Sequence, residues 1–148
     1  MVASPGIKEG TNLKAACPEG FERHGTGCYK ALESNASWPE AKVYCSVLGG
    51  DLAQIEDDVE NTIIMGLISR LHVSKDDEYF WLDGSDILSE NEWRWMGQKG
   101  ASQPMTFTNW RQGQPDNGWG SEHCLEIVHD KWNDDRCELP RSFICEAQ

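Results

Sequence analysis

Six cysteines (Cys17, Cys28, Cys45, Cys124, Cys137 and Cys145) constrain this 148-residue chain more than any other feature. An even count in a small, acidic, tryptophan-rich chain implies three disulfides and an oxidising compartment. The count alone leaves many pairings open. Zinc sites favour closely paired Cys or His, and a dithiol redox enzyme needs C-x-x-C. No C-x-x-C occurs here, so both readings are disfavoured.

The length allows one domain with a real core. The net charge is -12 and no Lys/Arg run is present, which argues against nucleic acid and anionic membrane as partners. Most of the carboxylates are expected on the solvated surface. No apolar run is long enough to span a bilayer, so membrane insertion is not expected. The start, MVASPGIKEG, lacks a basic segment followed by an apolar one and does not read as a signal peptide. Met1 is read as an introduced start on a mature secreted sequence.

Residues 1–16 read as a flexible lead-in. Gly20, Gly25 and Gly27 punctuate a hairpin between Cys17 and Tyr29. Ser37-Trp38-Pro39-Glu40 is a capping box that opens a helix running to about Leu48, with Ala41, Cys45 and Leu48 on one face and Gly49-Gly50 as its stop. A second helix follows Asp57-Asp58 to about Leu71, with Val59, Ile63, Leu67 and Ile68 at helical spacing. Strands are expected at Phe80-Trp81-Leu82, Trp93-Arg94-Trp95, Cys124–Val128, Lys131-Trp132-Asn133 and Ser142–Cys145. Between Gly97 and Glu122 lies a long stretch rich in Gly, Pro, Asn and Gln, and loops of that length are usually functional. Of seven tryptophans, Trp81, Trp93, Trp95, Trp110 and Trp132 suit the core. Trp119 stands between Gly118 and Gly120 and belongs on an exposed loop.

Gln114-Pro115-Asp116, Glu122 and Asn133-Asp134 place five oxygen-bearing side chains in two short clusters. Ca²⁺ takes about six to eight oxygen ligands from carboxylates, amides, carbonyls and water. Asp116, Glu122 and Asp134 supply negative charge, and Gln114 and Asn133 supply neutral amide oxygens. A cation with open positions beside the Trp119 face suggests a sugar partner.

The order of these landmarks resembles the C-type lectin domain. Two early helices, Trp81-Leu82-Asp83-Gly84, the long loop with Gln-Pro-Asp, Trp132-Asn133-Asp134 and Phe143-Ile144-Cys145 all fall in the family's sequence from Cys17 to Glu146. The resemblance implies an α+β fold, with two helices packed on short antiparallel sheets and a long calcium-binding loop region. It also implies the disulfides Cys17–Cys28, Cys45–Cys145 and Cys124–Cys137, and a recognition domain over residues 17–148. It implies a Ca²⁺ held by Gln114, Asp116, Glu122, Asn133 and Asp134, with Pro115 in the cis form. The Asp134 backbone carbonyl adds a further oxygen. Asp83-Gly84 stands where the family usually has Gly-Leu.

In the family, two vicinal sugar hydroxyls complete the metal's shell. Asp116 and Glu122 would accept their hydrogen bonds, and the Gln114 and Asn133 amides would donate. Gln-then-Asp, the reverse of the mannose-type Glu-Pro-Asn order, implies galactose and N-acetylgalactosamine, with Trp119 stacking on the sugar's apolar face. Gly118 intervenes between Asn117 and Trp119, a departure from galactose-type members. Asp86 and Glu90 match ligands of an auxiliary Ca²⁺ site, with Asn117 as a further oxygen. His123 stands where an acid is usual, and it is a poor ligand for a hard cation, so this site is expected weak or empty.

The expected function is thus a secreted, Ca²⁺-dependent lectin for glycans ending in galactose or N-acetylgalactosamine. Two alternatives use the same fold: a structural module binding protein or mineral, and a lectin of loosened, mannose-type or mixed specificity. An unrecognised hydrolase is the third possibility. However, the four His (His24, His72, His123, His129) show no H-E-x-x-H, and no motif links Ser, His and Asp. Asn35-Ala36-Ser37 is a glycosylation acceptor pattern. No coiled-coil segment is present, so any homo-oligomer would form through the domain itself.

Overall fold

The computed structural model describes residues 16–71, 79–98 and 101–147. All but the last residue of the expected lead-in, and His72, lie outside the described residues. Strands β1 (Glu22–His24) and β2 (Gly27–Ala36) form the N-terminal hairpin, and Cys17–Cys28 staples the preceding chain to it.

Ser37 then caps α1 (Trp38–Val47). Its side chain accepts from the Glu40 N–H at 3.2 Å, and Glu40 Oε1 accepts from the Ser37 N–H at 2.9 Å. The helix ends at Leu48, and Gly49 follows with φ 100°, a conformation that glycine adopts without steric cost. Ala41 and Cys45 are buried and Leu48 packs against the same cluster, as the capping and spacing imply. The short strand β3 (Asp51–Leu52) leads to α2 (Asp58–Ser69), capped by the Asp57 side chain. Of the expected face, Leu67 is buried and Ile63 and Ile68 pack against the core, and one position is corrected. Ile64 and Leu67 are the buried residues, whereas Val59 in the first turn is 64% exposed. Spacing marks a stripe on a helix, and it does not say which positions of the stripe other elements cover.

The remaining strands are β4 (Tyr79–Ser85), β5 (Arg94–Trp95), β6 (Gln103–Pro104), β7 (Cys124–Val128), β8 (Lys131–Asp135) and β9 (Arg141–Ala147). Among the described residues they form one connected network. Its path runs β1-β2-β9-β4-β5-β6, with β3 paired to β9, β7 to β4, and β8 to β7. The expectation of purely antiparallel sheets is modified at one joint: β4 and β9 run parallel, Phe80 opposite Ser142 and Trp81 opposite Phe143. That joint lets the chain's last strand enter the middle of the sheet between β2 and β4. Cys45–Cys145 ties α1 to β9 across a separation of 100 residues. In the chain-entropy account such a loop closure contributes roughly 4–5 kcal/mol.

Two apolar clusters fill the interior. One joins Ile55, Ile64, Phe80, Leu82, Leu125 and Ile144 to the tryptophan-rich floor of the long loop. The other packs Ala41, Leu52, Trp81 and Phe143 around the disulfides. Asp83, the departure noted in sequence, lies fully buried between them. Lys42 meets its carboxylate and also bonds Asp51 Oδ1 at 2.9 Å, while Gln54 and the Gly97 N–H donate to Asp83 Oδ2 at 3.0 and 2.8 Å. Burial nevertheless pushes the Asp83 carboxyl up to about 6, against the pull of Lys42.

Candidate metal and ligand site

The long loop is fastened from below. Trp110 and Trp132 meet edge-to-face at 5.7 Å, Trp93 packs on Trp110 at 5.0 Å, and Trp95 packs on Trp132 at 5.6 Å. The backbone joins the same pair: Trp132 N–H donates to Asn109 O at 2.9 Å, and Arg111 N–H donates to Trp132 O at 2.8 Å. Gln114 N–H then donates to Arg111 O at 2.9 Å, closing a turn before the cis Gln114–Pro115 bond. The tryptophans therefore set the height of Gln114 and Asp116 above β8, whose next residues are Asn133 and Asp134.

Asp134 is the anchor. It is buried, and its two carboxylate oxygens accept from the Asp116 N–H at 3.2 Å and the Asn117 N–H at 2.7 Å. The loop thus folds around a carboxylate that strand β8 presents. Asn117 follows with φ 49°, and its Oδ1 accepts from the Glu122 N–H at 3.1 Å. Glu122 Oε1 accepts in turn from the Gly118 N–H at 2.9 Å. A Cβ at position 118 would stand 2.9 Å from that same oxygen, so a side chain there would nudge the carboxylate from its place. The residue that departs from the galactose-type pattern is therefore the one that seats Glu122.

Asp116, Glu122 and Asp134 each bring a carboxylate oxygen within 4.8 Å of the others. Burial, followed by the neighbouring Asp134, Asp135 and Asp116 carboxyls, pushes Glu122 up to about 7, although the Gly118 N–H pulls the other way. Burial also raises Asp134. Carboxyls held this close repel one another unless a proton or a cation separates them. Gln114 Oε1 is buried and accepts from no described group. A buried acceptor without a donor normally has an explanation. A hard divalent cation beside three carboxylates is one, and the donor set is all oxygen, as Ca²⁺ requires.

Asn133 is oriented from behind. Its Nδ2 donates to Glu126 Oε2 at 2.9 Å. Glu126 is fully buried on β7, and its other oxygen accepts from Arg141 Nε at 2.9 Å. Arg141 reaches Asp135 at 3.1 Å and lies 4.3 Å from the centre of the Tyr79 ring. Burial and the nearby Asp135 push Glu126 up to about 8, with Asn133 and Arg141 opposing. Sequence reasoning missed Glu126 and Arg141. The available signal was a lone acid within the apolar run Cys124-Leu125-Glu126-Ile127-Val128.

Trp119 occupies a tight turn over Gly118–Gly120 with φ 58°, and its side chain is 100% exposed. Among the expected auxiliary ligands, Asp86 and Glu90 converge together with His123, and Asn117 Oδ1 accepts from the Glu122 N–H. His123 Nδ1 lies 2.9 Å from Asp86 Oδ1 and 3.6 Å from Glu90 Oε1. All six cysteines are in the three expected disulfides, so no described thiol is left for a metal. No described helix is long and apolar enough to cross a membrane.

The comparisons with known proteins agree with this architecture. The family model described as the lectin C-type domain matches residues 34–147. Perlucin from Haliotis laevigata is 40% identical over 136 residues, which cover 89% of this chain and 83% of that protein. The galactose-specific lectin nattectin from Thalassophryne nattereri is 33% identical over 134 residues, 88% of this chain and 80% of its own. Among solved structures, the carbohydrate-recognition domain of the mouse scavenger receptor C-type lectin superposes with a TM-score of 0.77 at 28% identity, covering 90% of this chain and 98% of that one. With its disulfides, its parallel central joint and its loop-borne acids in place, this chain belongs to the C-type lectin domain family.

Proposed function

We propose that this protein is a secreted, Ca²⁺-dependent lectin that binds glycans ending in galactose or N-acetylgalactosamine. Residues 17–148 form its recognition domain. The observation that carries the reading is the convergence of Asp116, Glu122 and Asp134, and the buried Gln114 Oε1 on the same loop is left without a donor. Gln114, Asp116, Glu122, Asn133 and Asp134 would hold the ion. A bound Ca²⁺ would supply open coordination positions for two vicinal hydroxyl oxygens.

The protein's own groups do the rest. Asp116 and Glu122 accept from the hydroxyls, and the Gln114 and Asn133 amides donate to them. One Asn133 N–H is committed to Glu126, which leaves the other for the sugar. Three disulfides support an oxidising destination.

Galactose preference rests on the Gln-then-Asp order and on Trp119. A non-glycine residue in the left-handed region costs about 1–3 kcal/mol and persists where its surroundings hold it, often at binding sites. Trp119 combines that conformation with complete exposure, which suits a platform for the apolar face of a sugar. The named specificity of nattectin points the same way.

The test is retention on galactose-agarose and mannose-agarose in millimolar Ca²⁺. Retention on galactose with elution by EDTA is expected, with weaker retention on mannose. Flow-through on both resins with Ca²⁺ present would overturn the lectin reading, and stronger retention on mannose would overturn the galactose preference alone.

A further inference from the structure

Between the end of β4 and the segment entering β7, Asp86 and Glu90 each bring a carboxylate oxygen, and His123 an imidazole nitrogen, within 4.8 Å of one another. From this geometry we propose a second cation site that takes a borderline divalent ion, Zn²⁺ being the representative, in preference to Ca²⁺. The proposal stands apart from the sugar-binding reading, because none of its three ligands belongs to that site.

Donor chemistry decides the class of ion. Ca²⁺ seeks about six to eight oxygens, and here one of three donors is an imidazole nitrogen. The amide that could have supplied another oxygen, Asn117 Oδ1, accepts from the Glu122 N–H instead. Zn²⁺ readily mixes His nitrogen with carboxylate oxygen, with three protein ligands and water in the fourth position. A tetrahedral ion with bonds of about 2.0–2.2 Å separates its ligand atoms by about 3.3–3.6 Å. His123 Nδ1 stands 3.6 Å from Glu90 Oε1 and 2.9 Å from Asp86 Oδ1, so only a shift of a few tenths of an ångström is needed at the shorter edge. Two carboxylates and a neutral imidazole also balance a double positive charge.

The ligands are oriented before any ion arrives. Asp86 is 2% exposed, and its Oδ2 accepts from the Asn91 N–H at 2.9 Å, leaving Oδ1 aimed at His123. The His123 carbonyl accepts from Ser85 Oγ–H at 2.6 Å and from the Asp86 N–H at 3.2 Å. The end of β4 and the segment entering β7 are therefore joined on both backbones, and the Cys124–Cys137 bridge begins at the next residue. Outer contacts of this kind fix ligand geometry in metal sites. Glu90 and His123 remain partly exposed, which gives an ion and its water a way in.

Isothermal titration of Zn²⁺ into the full chain, held in millimolar Ca²⁺ so that the loop acids are occupied, tests the proposal. One equivalent of Zn²⁺ is expected to bind. His123→Ala and Glu90→Gln should each weaken it by at least about tenfold, the loss typical even of outer-contact changes at metal sites, while His24→Ala retains it. Co²⁺ in place of Zn²⁺ should give the strong visible absorption of a four-coordinate ion, lost in Glu90→Gln, whose half-exposed side chain makes misfolding no explanation. Zn²⁺ binding that is absent, insensitive to both substitutions, or displaced by Ca²⁺ at comparable concentration would overturn the proposal and leave a plain His–carboxylate ion pair.

Discussion

In the metal-free protein, acidification should stabilise the fold, and Ca²⁺ should reverse that dependence. Glu122 rises from an ordinary 4.5 to about 7 in the folded chain. A carboxyl raised on folding binds its proton more tightly in the native state. Its stabilising contribution is fully present below pH 4.5 and is lost as pH rises towards 7. A fully buried group in that window costs about 1.4 kcal/mol per pH unit; solvent screens the partly exposed Glu122, which brings its share down to about 1 kcal/mol. Asp134 is shifted the same way and adds to the trend. Asp83 and Glu146 are raised as well, but neither touches a proposed ligand, so they contribute to both curves alike. The diagnostic is therefore the difference between two curves. Guanidinium unfolding with the disulfides intact, run in chelator and in millimolar Ca²⁺ from about pH 5 to about pH 8, should show a gap that opens by about 1 kcal/mol or more as pH rises. Glu122→Gln should remove most of that opening. Parallel curves in the wild-type protein would refute the placement of Glu122 among crowded carboxylates at a cation site.

Further outcomes are expected from single substitutions. Trp119→Ala should weaken galactose binding by about 1 kcal/mol, close to tenfold at most, while mannose is hardly affected; competitive elution measures both, and equal loss would remove the stacking role. Lys42→Met leaves the buried Asp83 carboxylate without its cation and should cost about 3–5 kcal/mol in guanidinium unfolding, whereas a loss below about 1 kcal/mol would show that the pair contributes little. Glu126→Gln should weaken Ca²⁺ binding about 10- to 100-fold in calorimetry by loosening Asn133, and an unchanged affinity would sever Glu126 from the site.

Much of the fold was legible because its signals are local. The Ser37 capping box and the Gly49 stop each depend on a few adjacent residues and form as written, and a second helix follows Asp57 as expected. The disulfide pairing was not local and came through family resemblance. Val59 is exposed although it stands at helical spacing, because spacing marks a stripe but not which of its positions are covered. The parallel meeting of β4 and β9 joins segments some sixty residues apart in sequence, and no periodicity reports such a joint. At the site, the ligand types could be read from Gln-Pro-Asp and Asn-Asp, since the chemistry of a hard cation dictates them. What supports them could not. The Glu126–Arg141 pair behind Asn133, the glycine that seats Glu122 and the commitment of Asn117 to a backbone N–H all depend on contacts across the fold. Asp83 looked like ordinary core drift until its cation, Lys42, was found forty-one residues away.

The most direct measurement is a crystal structure of the protein grown with millimolar Ca²⁺ and galactose. One ion bound by Gln114, Asp116, Glu122, Asn133 and Asp134, with two sugar hydroxyls in its shell and the ring over Trp119, is the predicted result. Water alone among those carboxylates, or a sugar seated elsewhere on the surface, would contradict the account.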